Sequence, residues 1–287
     1  MSMSEVLNKK KIRKVFRDAQ KHVAIAQLIR RFSTNKEDIR EKALNHADLS
    51  NCLNVLELGC AFGAFTEALK DKLHSDARIT GIDIIPEYKL FFMEACRRAG
   101  YNGQFYSAGI NLISKFKSCS FDLIICSYAL YFFPEMIPKI SRLLKKGGNF
   151  ITITHSHNDM HEIVTLVRKI LKNKGLPHEK SLPIEAIFEQ FSAENGKKLL
   201  KPSFSQITEI EFKNALVFQP QDINHFIDYF QFKKSFFLTG NDVHNKSVIN
   251  LLTQELQDVA CKNDFITMCK DDKIFICSQP ITPKERE

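Results

Sequence analysis

Three things are missing from this chain of 287 residues, and each closes off a class of protein. No stretch approaches the roughly 18 consecutive apolar residues that a membrane-spanning helix needs. The opening MSMSEVLNKKKIRK carries charge with no apolar run behind it, which argues against a secretory signal. The eight cysteines, at 52, 60, 96, 119, 126, 261, 269 and 277, include no C-x-x-C pair and no histidine spaced as a zinc partner. Several lie in apolar strand-like runs, Cys126 in FDLIICS and Cys277 in KIFICS, where a free thiol acts as a small hydrophobe. Reduced thiols, a cytoplasmic location and no resident metal are therefore expected.

What is present is the balance of a globular protein, 44% hydrophobic and 26% charged, with a net charge of +8. The charge is uneven. Residues 1–50 hold twelve Lys/Arg against six Asp/Glu. Such an end meets nucleic acid, an acidic carrier protein or a phosphorylated substrate, or it is simply a solvated helix face. From Ile12 to Phe32 the apolar residues Ile12, Val15, Phe16, Ala19, Val23, Ala26 and Ile29 recur at three- and four-residue steps, which predicts one amphipathic helix.

Beyond residue 50 short apolar strands alternate with helical patterns. NVLELG (54–59), ITGIDI (79–84), GQFYSAG (103–109), FDLIICS (121–127) and NFITITH (149–155) read as strands. FTEALKDKLH, PEYKLFFMEACRRAG and PEMIPKISRLLKK read as the helices between them, the last stopped by Gly147-Gly148. Alternation with nearly continuous apolar strands implies a parallel sheet covered on both faces. After His155 the pattern loosens into helices, a strand over ITEIEFKNALVF (207–218), and an aromatic-rich helix in QPQDINHFIDYFQFKKSFF. DFITMCKDDKIFICSQP reads as a terminal β-hairpin about the charged turn KDD. The expected division is a helical segment over 1–50 covering the site, a core over 51–155, a mainly helical cap over 156–250, and a helix plus hairpin over 251–287 completing the sheet.

In open parallel sheets ligands bind beyond the carboxyl ends of the strands, where strand order reverses. Here the first strand runs into Gly59-Cys60-Ala61-Phe62-Gly63 and the second ends at Asp83, twenty residues past Gly63. A carboxylate at that place accepts hydrogen bonds from both hydroxyls of a ribose. The third strand ends in Ala108-Gly109-Ile110 and the fourth in Ser127-Tyr128. G-x-A-x-G is neither the G-x-G-x-x-G of dinucleotide sites nor a Walker A loop, which needs Gly-Lys-Ser/Thr.

VLELGCAFG, ITGIDI, SFDLIICSYAL and LLKKGGNFITI, taken in order over residues 53–155, resemble the successive motifs of class I S-adenosylmethionine-dependent methyltransferases. The resemblance implies an α/β, Rossmann-like, seven-stranded and mostly parallel sheet with helices on both faces, its last strand antiparallel. It implies that Glu57 orients the loop, and that Gly59, Cys60, Ala61 and Gly63 line the methionine end of S-adenosylmethionine. Asp83 would hold the ribose and Ile84 the adenine, with Gly109, Ile110 and Ser127 completing the cofactor site. Two positions depart from the pattern. Ala61 stands where the family has its middle glycine, which suits an alanine only if its φ is negative. Gly109 stands where the family has an acid for the adenine amino group, leaving Asn111 as a substitute.

Methyl transfer needs alignment of the acceptor and removal of a proton. His155, at the end of the fifth strand in THSHNDMH, is the candidate base, with His157, Asp159 and His161 behind it; Tyr128 and Tyr131 after the fourth strand are further candidates, Tyr131 the catalytic one. CSYA replaces the Asn/Asp-Pro-Pro-aromatic motif of amine methylation on nucleic-acid bases, and no Pro-Cys pair suits pyrimidine C5 chemistry. The expected acceptor is a small apolar or aromatic molecule methylated on O or N. No RNA-binding module is apparent, so a nucleic-acid partner is not expected. Two alternatives stay open: a macromolecular acceptor (an acidic carrier protein or RNA), or a related fold that has lost catalysis.

Overall fold

The computed structural model describes residues 9–176, 182–238 and 242–281. The first part of the chain forms α1 (Lys9–Phe16), α2 (Ala19–Phe32), α3 (Ile39–Leu44), β1 (Asn54–Leu58), α4 (Ala64–Ala68) and β2 (Arg78–Asp83). Next come α5 (Lys89–Ala99), β3 (Asn102–Ser107), β4 (Phe121–Ser127), α6 (Ile137–Leu143) and β5 (Leu144–His155). The remainder comprises α7 (His161–Asn173), α8 (Pro183–Gln190), α9 (Gly196–Leu200), β6 (Phe204–Phe212), β7 (Ala215–Phe218) and α10 (Ile223–Phe237). It closes with α11 (Asp242–Asn263), β8 (Ile266–Cys269) and β9 (Asp272–Pro280). Among the described residues no helix is long and apolar enough to cross a membrane.

The chain makes two compact units. A sheet unit takes the described parts of 37–155, 190–212 and 272–287, and a helical unit those of 1–36, 156–189 and 213–271. This differs from the expected division. Residues 37–50 and 190–212 belong with the sheet, while α11 and β8 belong with the helical unit. Residues 1–8 and 282–287 of the expected segments lie outside the described residues.

The sheet unit holds seven strands in the order β3-β2-β1-β4-β5-β9-β6. β1 to β5 pair in parallel, and β9 is antiparallel to both β5 and β6, so one strand of seven runs against the rest. Strand order reverses between β1 and β4, the place where such sheets open a crevice. The central strands are apolar on both faces because helices cover both. Val55, Ile79, Leu123, Ile125, Ile151, Ile153 and Ile274 join Leu69 and Phe92 in one buried cluster.

In the helical unit β7 pairs antiparallel with β8. Its interior is aromatic. Phe32 meets Phe218 with centroids 4.5 Å apart, Phe218 meets Phe226 at 5.4 Å, and Phe230 meets Phe237 at 5.3 Å. Phe226, Tyr229, Phe230 and Phe237 are buried, so the rings of the aromatic-rich helix pack the interior of this unit.

Four local expectations change. The 12–32 helix is broken: α1 ends at Phe16, and the Asp18 carboxylate accepts from Lys21 N–H as the N-cap of α2. The helix expected over FTEALKDKLH stops at Ala68. LKKGG (144–148) belongs to β5, not to the preceding helix, because Leu144 pairs with Phe121 before a register shift places Asn149 against Leu123. The strand expected over 207–218 is two strands in different sheets, and the terminal pair is antiparallel with other partners: β8 with β7, and β9 with β5 and β6.

Candidate active site at the strand ends

The loop after β1 is shaped by backbone angles that side chains resist. Gly59 has φ +67° and Gly63 φ +81°. A Cβ on Gly63 would come within 2.5 Å of Ala95 Cβ, and one on Gly59 within 2.7 Å of Ala129 Cβ. Glycine is required at both on two counts. Ala61 also has a left-handed φ, +44°. The condition for a comfortable alanine is not met, and the Cβ costs about 1 kcal/mol there.

The loop is tied to β2. Gly59 N–H donates to Ile82 O at 2.8 Å, and Gly63 N–H closes the turn on Cys60 O at 2.9 Å. Asp83 does the rest: its carboxylate accepts Ala61 N–H at 3.0 Å and Ile85 N–H at 2.9 Å. The half-buried Asp83 is thereby fixed at the end of β2, beside the loop. Burial pushes its pKa up to about 6, against those two backbone donors, which favour the anion. Ala108 N–H bonds Asp83 O at 2.9 Å, bringing the half-buried Gly109 and Ile110 alongside, while Asn111 is exposed. Ile84 and Ser127 are also half-buried at their strand ends.

Glu57 and Cys60 sit deeper than the resemblance implied. Glu57 is 4% exposed, and the Thr66 hydroxyl donates to its carboxylate. Burial raises its pKa to about 7, opposed by Thr66 and the positive charge of Arg40 and assisted by Asp83. Glu57 therefore acts by anchoring the first turn of α4 under the loop. The Cys60 side chain is in the core cluster, and burial holds its thiol well above the ordinary range, so only its backbone can face a ligand.

A second group gathers at the ends of β4, β5 and β9. His155 stands opposite Asp272 in the β5–β9 register. Its Nδ1 lies 2.6 Å from Asp272 Oδ1, and the Tyr128 hydroxyl donates to Asp272 Oδ2 at 2.6 Å. An ionised carboxylate only accepts, so Nδ1 carries the proton and, in the neutral ring, Nε2 carries the lone pair. The His155 ring lies 4.6 Å from that of Tyr128 and stacks at 6.3 Å on that of Tyr131. Tyr128 itself has φ +54°, a costly conformation for a bulky residue and one that concentrates at functional sites.

Both expected catalytic residues, His155 and Tyr131, are thus brought together, and both are buried, at 5% and 8% exposure. His157 belongs to the helical unit, where its Nε2 is 3.2 Å from Phe188 O, and His161 is exposed with Nδ1 on Asn158 O. Asp159 is buried against Lys270 at 2.7 Å. Sequence reasoning missed Asp272, read as part of a turn, and Arg40, whose charge reaches Glu57 and Tyr128. Only the strand register could have revealed Asp272.

Comparison with known proteins places the chain among methyltransferases. A family model described as a methyltransferase domain matches residues 49–229. Nodulation protein S of Rhizobium tropici is 31% identical over 105 residues, which is 34% of this chain and 41% of that protein. The chain thus spans less than half the length of this curated relative. Among solved structures, a protein of Bacillus halodurans C-125 with a provisional methyltransferase assignment superposes with TM-score 0.52 at 12% identity, covering 84% of this chain and 99% of that one. Phosphoethanolamine N-methyltransferase 2 of Haemonchus contortus, solved with phosphomonomethylethanolamine and S-adenosylhomocysteine, gives 0.49 at 14% identity over 98% of this chain and 61% of that one. With the matched domain spanning more than half its length and a seven-stranded sheet whose last strand is antiparallel, this chain belongs to the class I methyltransferase family.

Proposed function

We propose that this protein transfers a methyl group from S-adenosylmethionine to an oxygen or nitrogen of a small molecule. The observation that carries the reading is Asp83. Its carboxylate is pinned by Ala61 and Ile85 N–H groups at the switch point of the sheet, next to a loop of left-handed residues. In that position it accepts from the two ribose hydroxyls, with the loop backbone at the methionine end and Gly109, Ile110 and Ile84 toward the adenine. The bound cofactor supplies an activated methyl on a sulfonium; the chain's part is to orient the acceptor and take its proton.

His155 is the proposed base. The Asp272 carboxylate fixes its tautomer and stabilises the imidazolium formed when Nε2 accepts the proton, and Tyr131 and Tyr128 wall the ring. A small acceptor is favoured by the absence of base-methylation motifs after β4. Strain at Ala61 favours one competing reading, a relative that holds the cofactor weakly and does not turn over.

Calorimetric titration with S-adenosylmethionine and S-adenosylhomocysteine decides between them. Micromolar binding is expected, weakened about 100-fold in Asp83→Ala as two hydrogen bonds to a charged group are lost. Absence of binding by the unmodified protein would overturn the proposal. Isotope-labelled methyl transfer to a panel of phenols and amines then tests the base: unchanged turnover in His155→Ala would remove it from the mechanism.

A further inference from the structure

Tyr128 holds a conformation that a bulky side chain resists. Among the described residues seven non-glycines have positive φ, and Tyr128, at +54°, is the one aromatic among them. A left-handed backbone crowds the Cβ, so it persists only where the surroundings hold it. Two contacts do so here. Tyr128 N–H donates to Ile153 O at 2.9 Å, carrying the β4–β5 ladder one step past the pairing of Ser127 with Ile153. The side chain then crosses β5: its ring lies 4.6 Å from that of His155, and its hydroxyl reaches Asp272 on β9. With the strands in the order β4-β5-β9, Tyr128 forms a bridge over the intervening strand.

The bridge ends on the carboxylate that holds His155. Asp272 Oδ2 accepts the Tyr128 hydroxyl at 2.6 Å, and Oδ1 lies 2.6 Å from His155 Nδ1. The last torsion of an aspartate is soft, so a bond to one oxygen alone leaves the carboxylate plane free to swing. Bonds on both oxygens fix that plane, and with it the line along which the His155 Nδ1–H must point. Asp272 and His155 are each 5% exposed, which leaves water little room to replace either bond. A phenol suits the task because it donates without bringing a charge, so the carboxylate keeps its own for the imidazolium.

We propose that Tyr128 is a positioning residue: its hydroxyl locks the Asp272 carboxylate, which in turn holds His155 in the Nδ1–H tautomer and in one ring plane. Tyr128 acts through Asp272 and needs no contact with the acceptor. The part this plays in proton removal rests on His155 as the base; the lock itself does not.

Two measurements on the full chain test this, and the first needs no substrate. In proton NMR of the free protein the His155 Nδ1–H should give a low-field resonance, slow to exchange with water and absent from His155→Ala. Tyr128→Phe keeps the ring and removes only the hydroxyl. It should speed that exchange about tenfold, since a hydrogen bond to a charged group is lost. Thermal unfolding followed by circular dichroism checks that the variant is folded. In isotope-labelled methyl transfer the same change should lower kcat about tenfold, with the acceptor KM and the cofactor Kd unchanged. In an Asp272→Asn background it should cost nothing further, because the group it acts through is gone. No protected resonance in the wild type, or exchange as slow in Tyr128→Phe as in the wild type, would overturn the lock. Unchanged kcat, a raised acceptor KM, or a full second loss in the Asp272→Asn background would overturn the positioning role. If no acceptor turns over, the resonance still decides the lock, and that failure belongs to the methyl-transfer reading alone.

Discussion

The two units of this chain differ in what their structure is made from. The segments of the sheet unit contain nine of the eleven glycines and a near balance of twenty Lys/Arg against nineteen Asp/Glu. Those of the helical unit contain two glycines and an excess of twenty-one Lys/Arg over fourteen Asp/Glu. In the sheet unit the candidate site is built by the backbone: turns with positive φ, and N–H groups that fix a carboxylate. In the helical unit the interior is built by side chains, ring against ring, and the surface by charge. Chemistry that needs close backbone approach thus sits where glycine is concentrated, and surface electrostatics where it is scarce.

The comparison can be broken from its strongest point downward. Phe230→Ala removes a fully buried ring from the helical unit and should cost about 3–5 kcal/mol in chemical denaturation. If the sheet unit builds its site alone, cofactor affinity measured below the transition should be unchanged.

Glu57→Gln tests the buried acid of the sheet unit. The folded pKa of about 7 lies above the unfolded value, so the folded state binds the extra proton, and stability falls as pH rises from about 4.5 to 7. Urea titrations across that window should show the wild type losing on the order of 3 kcal/mol relative to the variant, with no further change above pH 7. Parallel curves for the two proteins would refute the burial account.

Cofactor binding should carry its own pH signature. Asp83 must be ionised to accept from the ribose, and its pKa is about 6 in the free protein. Affinity is therefore flat above pH 7 and falls about tenfold per unit below 6, readable by calorimetry at pH 5, 6 and 7.5. The smallest effect belongs to Ala61→Gly, which relieves φ +44°. A gain of up to about 1 kcal/mol is expected from removing the Cβ, reduced by the entropy of an added glycine. A clear loss of stability would mean that the methyl group packs usefully in the loop.

Much of the sheet unit was legible in the sequence because its signals are local. β1, β2, β4 and the second half of β5 carry apolar runs that lead into turns, and Gly59, Gly63 and Asp83 sit at spacings that suit a strand–turn–helix. What was not legible depends on distant partners. ITEIEFKNALVF keeps one pattern throughout, yet it divides at Lys213-Asn214, where Asn214 N–H bonds the Asp271 carboxylate and Asn214 O accepts Lys270 N–H. LLKKGG has helix-forming residues, but pairing of Leu144 with Phe121 overrides their propensity. Asp272 lies 117 residues from His155, and nothing in KDDKIF distinguishes it from a charged turn until the strands are laid in register.

The position of β9 sets an order of assembly. Every residue of the loop after β1, together with Asp83, precedes position 128, whereas the carboxylate that orients His155 arrives only with the strand that slots between β5 and β6. During synthesis the loop and the pinned Asp83 can therefore form well before His155 is aligned by Asp272. A chain interrupted between the end of β4 and Asp272 would keep the loop and Asp83 but lack that alignment, so the last strand serves as a check that the whole sheet is present before chemistry can begin.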